Sequence, residues 1–243
     1  KNKQYHKAGK IMEQPKQFLI TQLDQRSPLV EAFRTLRANI RFVGVEHPIQ
    51  TLLVTSSAPE EGKSSISTNL AVAYAMNGKR VLVIDADLRR PSLHQFYKCS
   101  NSCGLTHVLL GHRTISDSIQ QTQVEGLSLM ASGPLPPNPA ELLGSSQMEE
   151  AMELIKANYD FIIIDTPPVL AVSDALLLAP KADGTLLVVA SMGTKRGAAK
   201  AALAALATSK ARVVGTVLNN FQLDEPSSYY YYYYSQGLEK ADV

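Results

Sequence analysis

Nine residues, SAPEEGKSS from Ser57 to Ser65, lie between a short apolar run, TLLVTSS (51–57), and a helical pattern, KSSISTNLAVAYAMNGKR (63–80). They read as a phosphate-binding loop, G-x-x-x-x-G-K-[ST], with Ser57 in place of the opening glycine. A helix that begins at such a loop aims free N–H groups and the positive end of its dipole at an anion. Gly62 lets the backbone approach a phosphate closely. Nucleotide contacts are therefore expected along Ser57, Ala58, Pro59, Glu60, Glu61, Gly62, Lys63, Ser64 and Ser65. Lys63 would reach the β- and γ-phosphates, and the Ser64 hydroxyl would ligate Mg²⁺. A Gly-Lys-Ser triplet is common by chance, but one set between a strand and a helix is not.

Two more segments carry acids suited to the same chemistry. In VLVIDADLRRP (81–91), Asp85 and Asp87 stand two residues apart at the end of an apolar run. On a strand over 81–87 their carboxylates project to one side. One can help hold Mg²⁺ while the other accepts a proton from an incoming hydroxyl. Arg89 and Arg90 could face phosphates, although an arginine pair after a strand is more often solvated surface. In FIIIDTPP (161–168) an apolar run ends in Asp165, the form of a Walker B strand that delivers a carboxylate to a metal. One such strand is weak evidence. Three acids converging on a phosphate loop point strongly to Mg-ATP or Mg-GTP.

Those residues need a frame, and the chain supplies strands alternating with helices. Continuous apolar runs at 51–57, 81–87, 127–132, 161–168, 185–191 and 212–220 read as strands buried on both faces. Helical patterns fall at 63–80, 145–159 and 195–211. The expected fold is α/β, a mostly parallel twisted sheet with helices on both faces, in which ligands sit beyond the carboxyl ends of the strands.

The chain has 243 residues, 45% of them apolar and 19% charged, as in an ordinary globular protein. A formal charge of +2 is too small to argue for nucleic acid as the main partner. No apolar run approaches the ~20 residues of a membrane-spanning helix. Cys99 and Cys103 do not make a disulfide framework and fit a reducing compartment. With His94 and His107 nearby they match no standard zinc spacing. The domain reading is a flexible leader over 1–17, a nucleotide-binding domain over 18–226 and a tail over 227–243.

Lys63, the paired aspartates of VIDADLRRP, the IIIDTPP strand and GPLPPNPAELL (133–143) together resemble the bacterial tyrosine kinases of capsule and exopolysaccharide systems, from about Phe18 to Asn220. EAFRTLR adds a further mark, since Glu31, Arg34 and Arg37 match that family's Glu-x-x-Arg-x-x-Arg oligomerisation motif. The spacing independently puts the three on one side of a helix, where a charged stripe alone contributes little. The resemblance implies a P-loop NTPase fold of the MinD/ParA-like, deviant Walker kind, and an ATP- and Mg²⁺-dependent protein-tyrosine kinase. It implies that Lys63 and Ser64 bind nucleotide and metal, that Asp85 is the base toward the tyrosine hydroxyl, and that Asp87 and Asp165 join the metal shell. It further implies a ring homo-oligomer (an octamer by family analogy), a transmembrane activator or polysaccharide co-polymerase, a cognate tyrosine phosphatase and no nucleic acid. The implied location is cytoplasmic, at the inner face of the membrane.

A run of six tyrosines, Tyr229, Tyr230, Tyr231, Tyr232, Tyr233 and Tyr234, then acquires a purpose as phosphoacceptor. Tyr229 follows Asn220 by nine residues, a span of roughly 30 Å when fully extended, which tethers acceptors near the site at high effective concentration. The rival is a MinD/ParA-type switch ATPase, which uses the same sheet without phosphorylating protein. Such proteins carry an additional loop lysine where this chain has Ala58, and a terminal amphipathic membrane helix where this chain has a tyrosine tract.

Overall fold

The structure, a computed structural model, describes residues 18–221. Leader residues 1–17 and the tail, with Tyr229–Tyr234, lie outside the described residues. The strands are β1 (Thr51–Ser56), β2 (Val81–Asp85), β3 (Ile119–Gln121), β4 (Leu127–Met130), β5 (Phe161–Asp165), β6 (Gly184–Ala190) and β7 (Val213–Asn219). The α-helices are α1 (Pro28–Val43), α2 (Lys63–Ala75), α3 (Leu93–Tyr97), α4 (Leu105–Leu109), α5 (Ile115–Ser118), α6 (Pro139–Leu143), α7 (Ser146–Lys156), α8 (Asp174–Leu178) and α9 (Arg196–Thr208).

The strands form one sheet in the order β3-β4-β2-β5-β1-β6-β7. Neighbours are parallel except β3, which runs antiparallel to β4 at one edge. Alternation sorts the side chains: Leu52, Val54, Val83 and Ile163 pack beneath α1 and α2, while Leu53, Leu82, Ile84, Ile162 and Ile164 pack against α7, α8 and α9. Both faces are thus covered along β1, β2, β4, β5 and β6, which is why those strands read as unbroken apolar runs, whereas β7, expected to be buried on both faces, is only partly buried because it lies at the sheet edge. Each fully buried Leu or Ile contributes roughly 1.5–3 kcal/mol. Helix α2 is buried over Ile66–Ala75, Ser67, Thr68 and Asn69 included, because the sheet lies under it and α1 over it.

Several boundaries differ from those expected. Helix α2 stops at Ala75, short of Arg80, because Gly78 takes a left-handed φ of +76° and turns the chain toward β2. Helices α7 and α9 are likewise shorter than 145–159 and 195–211. Strand β2 ends at Asp85 rather than Asp87, since the Asp85 side chain accepts the Asp87 N–H and competes with the ladder. Strand β3 has three residues, too few to show a pattern. No helix among the described residues is long and apolar enough to cross a membrane.

Gly104 lies hard against the backbone that follows β4. Just after it, Leu105 and Thr106 donate N–H bonds of 2.8 and 2.9 Å to the carbonyls of Ala131 and Ser132, at the end of β4. A Cβ on Gly104 would lie 2.0 Å from the Ala131 carbonyl oxygen and 2.6 Å from the Gly133 nitrogen. Gly104→Ala should therefore destabilise the protein by about 1–3 kcal/mol through forced backbone movement. Urea unfolding checks this, and an unchanged midpoint would mean that the segment yields freely.

Candidate active site

Sheet register brings the acids together. On neighbouring strands β2 and β5, Asp85 stands directly opposite Asp165, and Val54 of β1 is opposite Asp165 on the other side. Strand β1 then runs into the loop that starts α2, so Lys63 and Ser64 arrive over the same carboxyl edge.

Lys63 lies among these groups. Its Nζ is 3.0 Å from Asp87 Oδ2 and 3.6 Å from Asp165 Oδ2. It also donates to Ser64 Oγ at 3.2 Å, which in turn donates to Asp165 Oδ2 at 2.7 Å. The second oxygen of Asp165 accepts the Ser67 hydroxyl at 2.8 Å. Ser67 sits one turn beyond Lys63 on α2, and the sequence motif gave no reason to select it; the i, i+4 spacing on one helix face is the signal that could have.

Asp85 and Asp87 do not project side by side as a strand over 81–87 would have them. Asp85 is fully buried, and its carboxylate accepts the backbone N–H groups of Asp87, Ser92 and Leu93 at 3.3, 2.9 and 3.0 Å. Asp87, in the turn that follows, accepts the N–H groups of Arg89 and Arg90 on one oxygen and faces Lys63 with the other. Burial, reinforced by the charge of Asp165, pushes the Asp85 carboxyl up to about 7, against the pull of the two loop N–H groups and Lys63. Burial also raises Asp165, opposed by Lys63 and by the two serine hydroxyls. For Lys63, burial favours the neutral amine, but Asp165 and Asp87 outweigh it and the ammonium is stabilised.

The phosphate loop is sharply bent. Glu60 has φ +65° and Gly62 φ +90°, the left-handed region that glycine enters freely. A Cβ on Gly62 would also fall 2.0 Å from Asn219 Nδ2, at the end of β7, which donates to the Glu61 carbonyl at 3.0 Å. The N–H groups of Ser57 and Ala58 already donate to the buried Glu61 carboxylate, at 2.8 and 3.1 Å. The amides left for an anion are those further along, at the start of α2. Beside the loop, Ala58, Pro59, Glu60, Met192, Gly193 and Asn220 help line a cavity of about 380 Å³, within the range of small-ligand sites.

The remaining candidates are placed as follows. Arg89 makes a two-pronged pair with the fully buried Asp174 of α8, at 2.9 and 3.0 Å, while Arg90 is exposed. Asp174 had no sequence signal, lying as it does in a short helix far along the chain. Glu31 and Arg34 pair at 3.2 Å on α1, and Arg37 donates to the Ala73 carbonyl of α2 at 2.7 Å. The Cys99 thiol meets the Tyr97 carbonyl, and that of Cys103 the Ser118 hydroxyl. Among the described residues, no group of three or more His, Cys, Asp or Glu is arranged to hold a metal alone.

Comparison with known proteins places this geometry. Residues 60–207 match the AAA domain family. A relative in Bacillus subtilis, tyrosine-protein kinase YwqD, is 43% identical over 211 residues, covering 87% of this chain and 89% of the relative. The crystal structure of the chimerical protein CapA2B2 superposes with a TM-score of 0.81 at 38% identity, over 84% of this chain and 90% of that one. At the level of fold alone, the MinD structure from Pyrococcus horikoshii matches with a TM-score of 0.59 at 22% identity, over 74% and 76% of the two chains.

The Arg89–Asp174 pair ties the Asp85–Arg90 turn to α8. Arg89→Ala leaves a buried carboxylate with no cation, and should lower the unfolding free energy by about 2 kcal/mol. In an Asp174→Asn background the same change should have a clearly smaller effect. Equal losses in both backgrounds, measured by a double-mutant cycle in urea, would show that the pair is not coupled.

Proposed function

The chain belongs to the bacterial tyrosine kinases, and from that premise we propose that it transfers the γ-phosphate of ATP to its own tyrosines, Tyr229–Tyr234. In this reading each tail enters the site of a neighbour within a ring of copies. The observation that carries it is the gathering of Lys63, Ser64, Asp85, Asp87 and Asp165 at the edge where β7 ends, with a tyrosine tract in the chain that follows.

The groups fit a magnesium ion. The Ser64 hydroxyl, Asp87 and Asp165 are hard oxygen donors, and of three buried carboxylates gathered here two contact the one ammonium, an imbalance that a divalent cation relieves. A protein site of few ligands also suits an ion that retains waters and binds substrate phosphates. Bound with ATP, the ion would supply charge neutralisation on the phosphates. The chain's own residues do the rest. Lys63 exchanges its carboxylates for the β- and γ-phosphates, and the amides at the start of α2 orient them. Asp85, with a carboxyl near 7, is assigned as the base that takes the tyrosine proton. Because Asp85 is buried, the hydroxyl reaches it when the turn after β2 shifts.

The helix carrying Glu31, Arg34 and Arg37 is assigned to the contact between copies. A separate transmembrane activator would hold the ring at the inner face of the membrane, where the kinase regulates capsule or exopolysaccharide synthesis and a tyrosine phosphatase reverses it. Phosphorylation then acts as a switch: six phosphates add roughly −10 charges, which repel the acidic site and one another, and the ring loosens.

Mass spectrometry of the C-terminal peptide after incubation with Mg-ATP should find phosphate on Tyr229–Tyr234 in the native chain and none in Lys63→Met. A clean tail despite ATP turnover would favour the switch ATPase instead. Light scattering should show the assembled mass falling once the tail is modified; an unchanged mass would remove the switch.

A further inference from the structure

Glu61 is a carboxylate that the transfer chemistry does not use. It is 4% exposed, and no cation pairs with it among the described residues. All its partners are neutral donors. Oε2 accepts the N–H groups of Ser57 and Ala58, and the Ser57 hydroxyl lies 2.7 and 3.0 Å from the two oxygens. Oε1 accepts the hydroxyl of Thr194, in the turn between β6 and α9. Thr194 is itself fixed, because its oxygen accepts the Ala190 N–H at 2.8 Å from the last residue of β6. A chain of hydrogen bonds therefore runs from the end of β6 through Thr194 and Glu61 into the first two amides of the phosphate loop.

A buried carboxylate without a cation is tolerable only when its oxygens are well supplied with donors. The loop amides alone would leave it short of donors, and Thr194 supplies one more from outside the loop. The adjacent residues Glu60 and Gly62 hold left-handed backbone angles. At Glu60 such an angle is unfavourable for a residue with a Cβ, and it persists where the surroundings hold it.

We propose that Thr194 and Glu61 are positioning residues that preform the phosphate loop before nucleotide arrives. The inference rests on the nucleotide-binding reading given above. The Glu61 carboxylate occupies the loop's first amides as an internal anion, so the later amides and Lys63 stand ready for the phosphates. Without the Thr194 hydroxyl, part of the energy of nucleotide binding is diverted to ordering the loop.

The test is equilibrium binding of a fluorescent ADP analogue with Mg²⁺ to the native chain and to Thr194→Val, Thr194→Ser and Glu61→Gln, with thermal unfolding of each free protein alongside. Thr194→Val, equal in shape but lacking the hydroxyl, should bind about ten-fold more weakly. Thr194→Ser, which keeps the hydroxyl, should bind within about two-fold of the native chain, and Glu61→Gln should be weakened as Thr194→Val is. In tail phosphorylation the loss in Thr194→Val should fall on KM for ATP, with kcat within about two-fold. Native-like ADP binding by Thr194→Val, or serine binding as poorly as valine, would overturn the proposal while leaving the kinase reading intact. Failure of the native chain to bind the analogue would overturn both.

Discussion

One ammonium group stands between carboxylates delivered by different segments of the chain, and the rest of the site depends on that balance. Lys63 touches Asp87 and Asp165, while Asp85 lies opposite Asp165 on the adjoining strand. Taking three carboxylates out of water is unfavourable unless each charge is answered. Each is answered differently: Asp165 by two serine hydroxyls and Lys63, Asp85 by backbone amides, Asp87 by amides and Lys63. The single lysine leaves carboxylates in excess among these groups. The parallel sheet matters here because it puts these segments at one edge in register.

Much of this was legible in the sequence, and the reason is local. A phosphate loop is continuous, so SAPEEGKSS announces its strand, its turn and its helix together. Asp165 and Asp85 could be found because each ends an apolar run, and both-face burial makes such runs conspicuous. Asp87 was found for the wrong geometric reason. Period-two alternation put it beside Asp85, whereas the strand ends first and the two carboxylates meet different partners. Glu61 was counted among the nucleotide contacts, yet its side chain turns inward to Ser57, Ala58 and Thr194.

What stayed hidden was long-range. Asp174, Thr194 and Asn219 reach the site from more than eighty residues beyond their partners, and no spacing rule connects such positions. Arg89 illustrates the point: its neighbourhood suggested phosphate or solvent, and a buried acid on α8 holds it instead. The antiparallel strand β3 escaped notice for a different reason, its three residues being shorter than any recognisable period. The Glu-x-x-Arg-x-x-Arg spacing on α1 was legible, but Arg37 spends its guanidinium on the carbonyl of Ala73 within the same chain.

Asn219 gives the fold a timetable. This residue closes β7, and its amide packs where a side chain on Gly62 would be, bonding the carbonyl of Glu61. During synthesis, residues 57–65 leave the ribosome long before their last support is made. The nascent chain thus carries a complete phosphate motif with an unfinished phosphate loop, and β6 and β7 must both dock before the loop gains its final shape. Parallel pairing between such distant segments is slow. The loop therefore gains its final shape as nearly the last event of folding.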